Sequence, residues 1–216
     1  MSTIDPITLV VVLALLALLP ILVVTTTSFL KIVIVMSLVR NALGVQQMPP
    51  NIALYGLALI ISAYIMAPVG QHMYKATLES PPAQTTVVSM IKSVQQSAEP
   101  LRDFLKRHTD PRQTDFFVTT ARQMWGEELA ADVTDSDFLV LVPAFLVSEM
   151  TSAFQIGFLL YLPFIVIDLI ISNILLAMGM MMVSPVTISL PLKLFLFVSV
   201  DGWSRLIHGL VLTYAT

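Results

Sequence analysis

Residues 138–183 read FLVLVPAFLVSEMTSAFQIGFLLYLPFIVIDLIISNILLAMGMMMV, an almost continuous apolar run. Pro143, Ser148-Glu149, Tyr161-Leu162-Pro163 and Asp168 interrupt it, and it closes in Met178-Gly179-Met180-Met181-Met182 ahead of Ser184-Pro185. A helix needs roughly 20 apolar residues to cross a hydrocarbon core, so the run predicts two long helices with a break near Pro163. No period-two alternation competes anywhere in the chain, and the predicted class is all-α: long, Pro-broken apolar helices forming hairpins.

Composition points the same way. The 216 residues are 56% hydrophobic and 12% charged, with mean hydropathy +0.87, outside the range of soluble domains and within that of integral membrane proteins. The net charge of -3 and the absence of a basic, aromatic-interleaved cluster exclude a nucleic-acid binder. With no Cys there is neither a disulfide framework nor a thiolate metal site. The first twenty residues lack a basic leader and a small-residue cleavage site, and they read as retained structure rather than a signal peptide.

Charge is concentrated in one place. Residues 71–137 hold seven of the eleven Lys/Arg and ten of the fourteen Asp/Glu, which predicts three regions: apolar helices in 1–70, an inserted amphipathic polar domain in 71–137, and apolar helices in 138–216. The first apolar block, Ile7 to about Leu38, is broken at Pro20 and carries Thr25-Thr26-Thr27-Ser28 before Lys31, and it reads as two helical pieces or one kinked one. A polar link through Gln46-Gln47-Met48-Pro49-Pro50 leads to a second apolar segment, Asn51–Val69, with Asn51 as the expected N-cap. Its small residues, Ala58-xxx-Ser62 and Ala63-xxx-Ala67, place a flat stripe where another helix can approach. In the polar domain Val87, Met90, Ile91 and Val94, then Leu101, Phe104 and Leu105, recur at helical spacing. Trp125-Gly126-Glu127-Glu128 marks a helix end, and Thr134 or Asp135 caps the next helix. A last apolar stretch, Val186–Val200, precedes an amphipathic piece, Asp201–Tyr214. Lys31 and Arg40 lie between the first two apolar blocks, which favours a cytoplasmic link and an outward-facing polar domain.

Two acids, Glu149 and Asp168, sit inside apolar runs, where an ionised carboxylate costs a few kcal/mol unless it is paired or faces a wet cavity. Lys31, Lys193 and Arg205, of this chain or of a neighbouring copy, are the candidate partners. A proton relay is the functional alternative, but His72, His108 and His208 lie outside the spans or near the terminus, so a structural pair or inter-subunit bridge is the stronger reading. No nucleophile, HExxH or phosphate-loop motif is present, the acids of 127–137 match no calcium-loop spacing, and no enzyme, cofactor or metal is expected. The methionine knot reads differently: flexible, polarizable thioethers between a Gly and a Pro make a soft apolar loop, the material of a closable constriction.

Taken together, Pro143-Ala144-Phe145-Leu146-Val147-Ser148-Glu149-Met150 with Gly157-Phe158, Pro163-Phe164-Ile165-Val166-Ile167-Asp168, and the Gly-Met-Met-Met-Val-Ser-Pro run resemble the FliP/SctR export-gate proteins of type III secretion and flagella. Thr27-Ser28-Phe29-Leu30-Lys31, Asn41-Ala42-Leu43-Gly44 with Gln46-Gln47 and Pro49-Pro50-Asn51, and Leu196-Phe197-Val198 leading into Asp201-Gly202-Trp203 extend the likeness over nearly the whole chain. The stretches Val45–Leu59 and Met180–Leu190 suggest the virulence branch. The resemblance implies a homopentamer in the bacterial inner membrane that joins S-type and T-type membrane proteins within the basal-body rings, with much of its mass on the periplasmic side. It implies passage of unfolded, secreted protein substrates through a pore. In it, Met180, Met181 and Met182, with Gly179 as the pivot, would form the pore gasket, and Glu149, Asp168, Lys31 and Lys193 the inter-subunit polar contacts. A proton-coupled transporter or ion-channel subunit using Glu149 and Asp168 is the competing expectation.

Overall fold

A computed structural model of the chain describes residues 6–45, 48–79, 96–131 and 133–215. Gln46-Gln47, and Val87, Met90, Ile91 and Val94 of the expected amphipathic helix, lie outside the described residues. Among those described there is no strand, and the helices are α1 (Pro6–Thr26), α2 (Phe29–Ala42), α3 (Asn51–Glu79), α4 (Glu99–His108), α5 (Pro111–Ala130), α6 (Phe138–Ala177), α7 (Pro185–Ser199) and α8 (Gly202–Leu212). The described residues fall into two compact units, within 1–30 plus 66–148 and within 31–65 plus 149–216.

The first unit includes α1, α4, α5 and the start of α6. Phe104 and Leu105 of α4 are buried with Ala121 of α5 and Val140, Leu141, Ala144 and Phe145 of α6. The Phe104 and Phe145 rings stand 5.9 Å apart, as an aromatic pair in a small core should. Caps set the helix starts. The Asp110 carboxylate accepts the Arg112 amide at 2.9 Å with Pro111 at the first helical positions, and Lys106, Arg107 and His108 occupy the last turn of α4, where the helix dipole favours cations. Gly126 breaks the helical geometry of α5 with φ +79, in line with the expected helix end at Trp125-Gly126. The expected cap at Thr134 or Asp135 is corrected to Asp137. Its carbonyl accepts the Val140 and Leu141 amides, and its carboxylate reaches back to the Thr134 amide at 2.8 Å, closing the turn before α6.

The second unit holds α2, α7, α8, the start of α3 and the remainder of α6. On α2, Ile32, Val35, Met36, Val39 and Ala42 form a single buried stripe at helical spacing. Leu54, Ala58, Ile61 and Ser62 do the same on α3; the small-residue stripe is thus buried at Ala58 and Ser62 but exposed at Ala63 and Ala67. Gly157 on α6 lies so close to Leu38 that a Cβ there would sit 2.2 Å from its Cδ1, which explains why this position carries no side chain. Between α7 and α8 the chain turns by 60°. Asp201 adopts left-handed φ 52 at that corner, and Trp203 meets Phe197 edge-on at 5.3 Å.

Proline placement corrects two expectations, the breaks at Pro20 and near Pro163. Pro20 lies inside α1, Pro191 inside α7, and Pro163 inside the 40-residue α6, which runs as one helix rather than two. In apolar surroundings the single hydrogen bond a proline removes costs less than unwinding a turn and exposing several more polar groups. The N-terminal block breaks instead at Thr27-Ser28. There the Thr25, Thr26 and Thr27 hydroxyls donate to carbonyls four residues back, competing with the backbone ladder, and the Thr27 hydroxyl accepts the Phe29 amide at 3.3 Å. Asn51 begins α3 instead of capping it; its carboxamide oxygen accepts Arg40 Nη1 at 2.5 Å.

Asn51–Leu78 and Phe138–Ala177 are long and apolar enough to cross a membrane, and up to four spans result if each bent helix pair counts as one. At about 1.5 Å per residue α6 measures about 60 Å, roughly twice the hydrocarbon thickness. Only part of it can lie in lipid at once.

Candidate functional site: two buried ion pairs and an exposed methionine loop

Lys31 on α2 and Glu149 on α6 form one pair, with Lys31 Nζ 2.8 Å from Glu149 Oε1 and both side chains almost wholly buried. The second carboxylate oxygen accepts the Tyr214 hydroxyl from the segment after α8, and Lys31 Nζ stands 4.2 Å from the centre of that tyrosine ring. Each charge therefore has an opposite charge and a further polar or π partner, the condition for keeping a pair ionised in an apolar interior. Lys31 cannot be counted among the loop charges that orient a membrane protein, because it lies inside α2 and its charge is consumed here.

Asp168 on α6 forms the other pair with Lys193 on α7 at 2.6 Å, the lysine buried and the carboxylate 31% exposed. Asp168 Oδ1 accepts the Ser189 hydroxyl at 2.5 Å. Lys193 Nζ also donates to the Ala42 carbonyl at 3.1 Å, neutralising the negative end of α2, whose chain then reverses through Gly44 at φ +73. Ser189, Lys193 and Phe197 are the buried residues of α7, one face at i, i+4 and i+8. Thus all four charged residues expected at the site have an ionic partner within their own chain. Arg205, the other candidate, is exposed and forms no ion pair among the described residues.

Two partners escaped sequence reading. Ser189 sits one turn before Lys193, a spacing that could have indicated it. Tyr214 has no such signal, since it meets Glu149 only through the packing of α8.

The methionine loop is built by a helix-ending motif. The Gly179 amide donates to the Leu176 carbonyl at 3.0 Å and the Met180 amide to Leu175 at 2.9 Å, with Gly179 left-handed at φ +75. This is the Schellman arrangement, in which the residue after the glycine commonly packs back on the helix. Met180 occupies that place and is 39% exposed, whereas Met181 is 81% exposed and Met182 fully so. Ser184 is extended and Pro185 starts α7 at once, so the loop is short and held at both ends. The triplet is therefore not uniform: one methionine is half covered and two project.

The FliP family sequence profile matches residues 12–210. The chain is 55% identical over 210 residues to Yop proteins translocation protein R of Yersinia pestis, covering 97% of each. It is 47% identical over 216 residues to the hypersensitivity response secretion protein HrcR of Ralstonia nicotianae, covering 99% of this chain and 100% of that one. It is 44% identical over 215 residues to virulence protein YscR of Salmonella typhimurium, covering 98% of each. Matched along almost its whole length by a family profile and by virulence-secretion relatives, the chain belongs to the FliP family, as a structural component of the type III secretion export apparatus of the inner membrane, on the virulence branch.

Proposed function

We propose that this protein is the pore-forming core subunit of the export gate, conducting unfolded protein substrates, with its methionine loop as the closure. The observation that carries the reading is the exposure of Met181 and Met182 on a loop pinned by Gly179 and Pro185. Side chains of this kind on a soluble surface would be a liability; repeated around an axis they can exclude water and ions, yet yield to an extended polypeptide because no rotamer or polar bond fixes their shape. In this reading five copies meet at the loops, S-type and T-type membrane proteins complete the gate within the basal-body rings, and the polar 71–137 region faces the periplasm. The length of α6 supports substantial helical mass beyond the bilayer. Asp168, still partly exposed, is the one acid of the two able to reach a neighbouring copy.

Native mass spectrometry of the detergent-extracted chain, alone and co-expressed with its S-type and T-type neighbours, tests the proposal. A homopentamer that gains both partners is the expected result; a monomer or dimer indifferent to them would remove the ring on which the gasket depends. The same exposure of Asp168 is what favours a proton-coupled second reading. Asp168→Asn separates the two: correct assembly with secretion abolished would favour a relay, whereas retained secretion, or failure at assembly, favours a structural pair.

A further inference from the structure

In the second unit, a groove of about 480 Å³ runs between α6 and α7, walled by Ile167, Ile170, Ile171, Leu192, Phe195 and Leu196. Ser199 contributes the one hydroxyl, and it is spent on the Phe195 carbonyl of its own helix at 2.7 Å. Leu196 and Val200 also line an adjoining cavity of about 230 Å³ that extends past Pro163 and Phe164 to Arg205. Among the described residues Arg205 is the only charged side chain lining either space. It lies one turn into α8, is exposed, and has no ionic partner among the described residues. The nearest acid in sequence, Asp201, accepts the Ser204 hydroxyl at 3.0 Å instead.

We propose that these adjoining cavities are a binding site for an anionic phospholipid, with an acyl chain along the α6–α7 groove and the headgroup phosphate on Arg205. The groove from Leu192 to Val200 follows α7 for about 12 Å at the usual helical rise, room for much of one chain. Among the described residues its walls offer a peptide or a polar ligand no free side-chain donor. An arginine at the end of an apolar channel in a membrane protein needs an anion, and its planar donor fork matches a phosphate oxygen pair. Basic side chains between membrane helices recognise anionic headgroups on these grounds. The inference rests on placement in the inner membrane and is independent of the methionine closure.

The test uses the full-length chain in mild detergent with equimolar phosphatidylglycerol and phosphatidylethanolamine, read by native mass spectrometry. Both lipids carry a phosphate, and only the first carries a net negative charge. Phosphatidylglycerol is expected to be retained about fivefold over phosphatidylethanolamine. Arg205→Gln should bring the ratio to about one, Arg205→Lys should keep the preference, and Arg122→Gln on α5 should leave it unchanged. Ile170→Trp, which fills the groove, should remove both adducts while helix content by circular dichroism stays constant. Equal retention by the parent chain, or a preference that survives Arg205→Gln, overturns the proposal. So does Ile170→Trp that keeps its lipid but loses self-association, because the groove would then belong to a second copy.

Discussion

Around Glu149 the chain closes over the charge: both carboxylate oxygens are bonded, the carboxylate 2% exposed, and an aromatic ring faces the lysine. Around Asp168 it does not, although that carboxylate is just as fully hydrogen-bonded, because roughly a third of the side chain stays open. The first arrangement ties α2, α6 and the chain after α8 into one knot, and losing either charged partner strands the other charge in an apolar interior. The second lets solvent, or another protein, compensate for a lost partner. Equal chemistry in sequence thus separates into a locking element and an accessible one.

The largest effect should come from breaking the sealed pair. Glu149→Ala alone should cost about 3–5 kcal/mol, because Lys31 is left buried and uncompensated. Combining it with Lys31→Met should recover much of the loss, as thermal unfolding in detergent would reveal; a double variant no better than the single one would refute the sealed-pair account. Next, Tyr214→Phe removes one hydrogen bond to the buried carboxylate and should cost about 1.5–3 kcal/mol. Its counterpart at the open pair, Ser189→Ala, should cost only about 1 kcal/mol. If the two hydroxyl deletions prove equal in the same assay, the contrast between closed and open pairs is not energetic.

Replacing Met181 and Met182 by Ala together should change unfolding by no more than about 0.5 kcal/mol, as expected of exposed side chains. The same variant should raise ion leak through assembled complexes in vesicles while secretion persists. Unchanged leak would argue against the closure. The smallest expected effect belongs to the ion pairs in water. Arg112, chiefly through its side-chain hydrogen bonds and then its amide, holds the Asp110 carboxyl below its ordinary value of 3.8. Lys106, and after it the Ser136 hydroxyl, do the same for Asp135. A carboxyl depressed on folding stabilises the fold above its ordinary pKa, and that contribution disappears as pH falls through the lower folded value. Asp110→Asn should therefore lower stability slightly at pH 7 and by less at pH 3. An equal change at both pH values would show that the pair carries no linkage.

Much of this was legible in the residues. Apolar runs of spanning length, charge gathered in 71–137, and a Gly-Met-Met-Met-Val-Ser-Pro signature were enough for helix class and family, because hydrophobicity and motif order are properties of the chain itself. Helix interruptions were less legible. Pro20 and Pro163 look like breaks, yet each lies within a helix, whereas Thr27-Ser28 carries the actual break. Whether a proline ends a helix depends on what surrounds its unpaired carbonyl, which local sequence does not specify.

The four charged residues Lys31, Glu149, Asp168 and Lys193 could be recognised as needing partners from their apolar neighbours, and the three methionines as a soft loop from their composition. Tertiary structure alone decided who pairs with whom, because partners such as Tyr214 and Glu149 are 65 residues apart and meet only once α8 has packed. It also decided that the methionines are unequal. Gly179 turns left-handed to end α6, which folds Met180 toward the helix and leaves Met181 and Met182 outside. Sequence specifies which groups cannot be left unsatisfied in an apolar interior, and packing selects the group that satisfies each one.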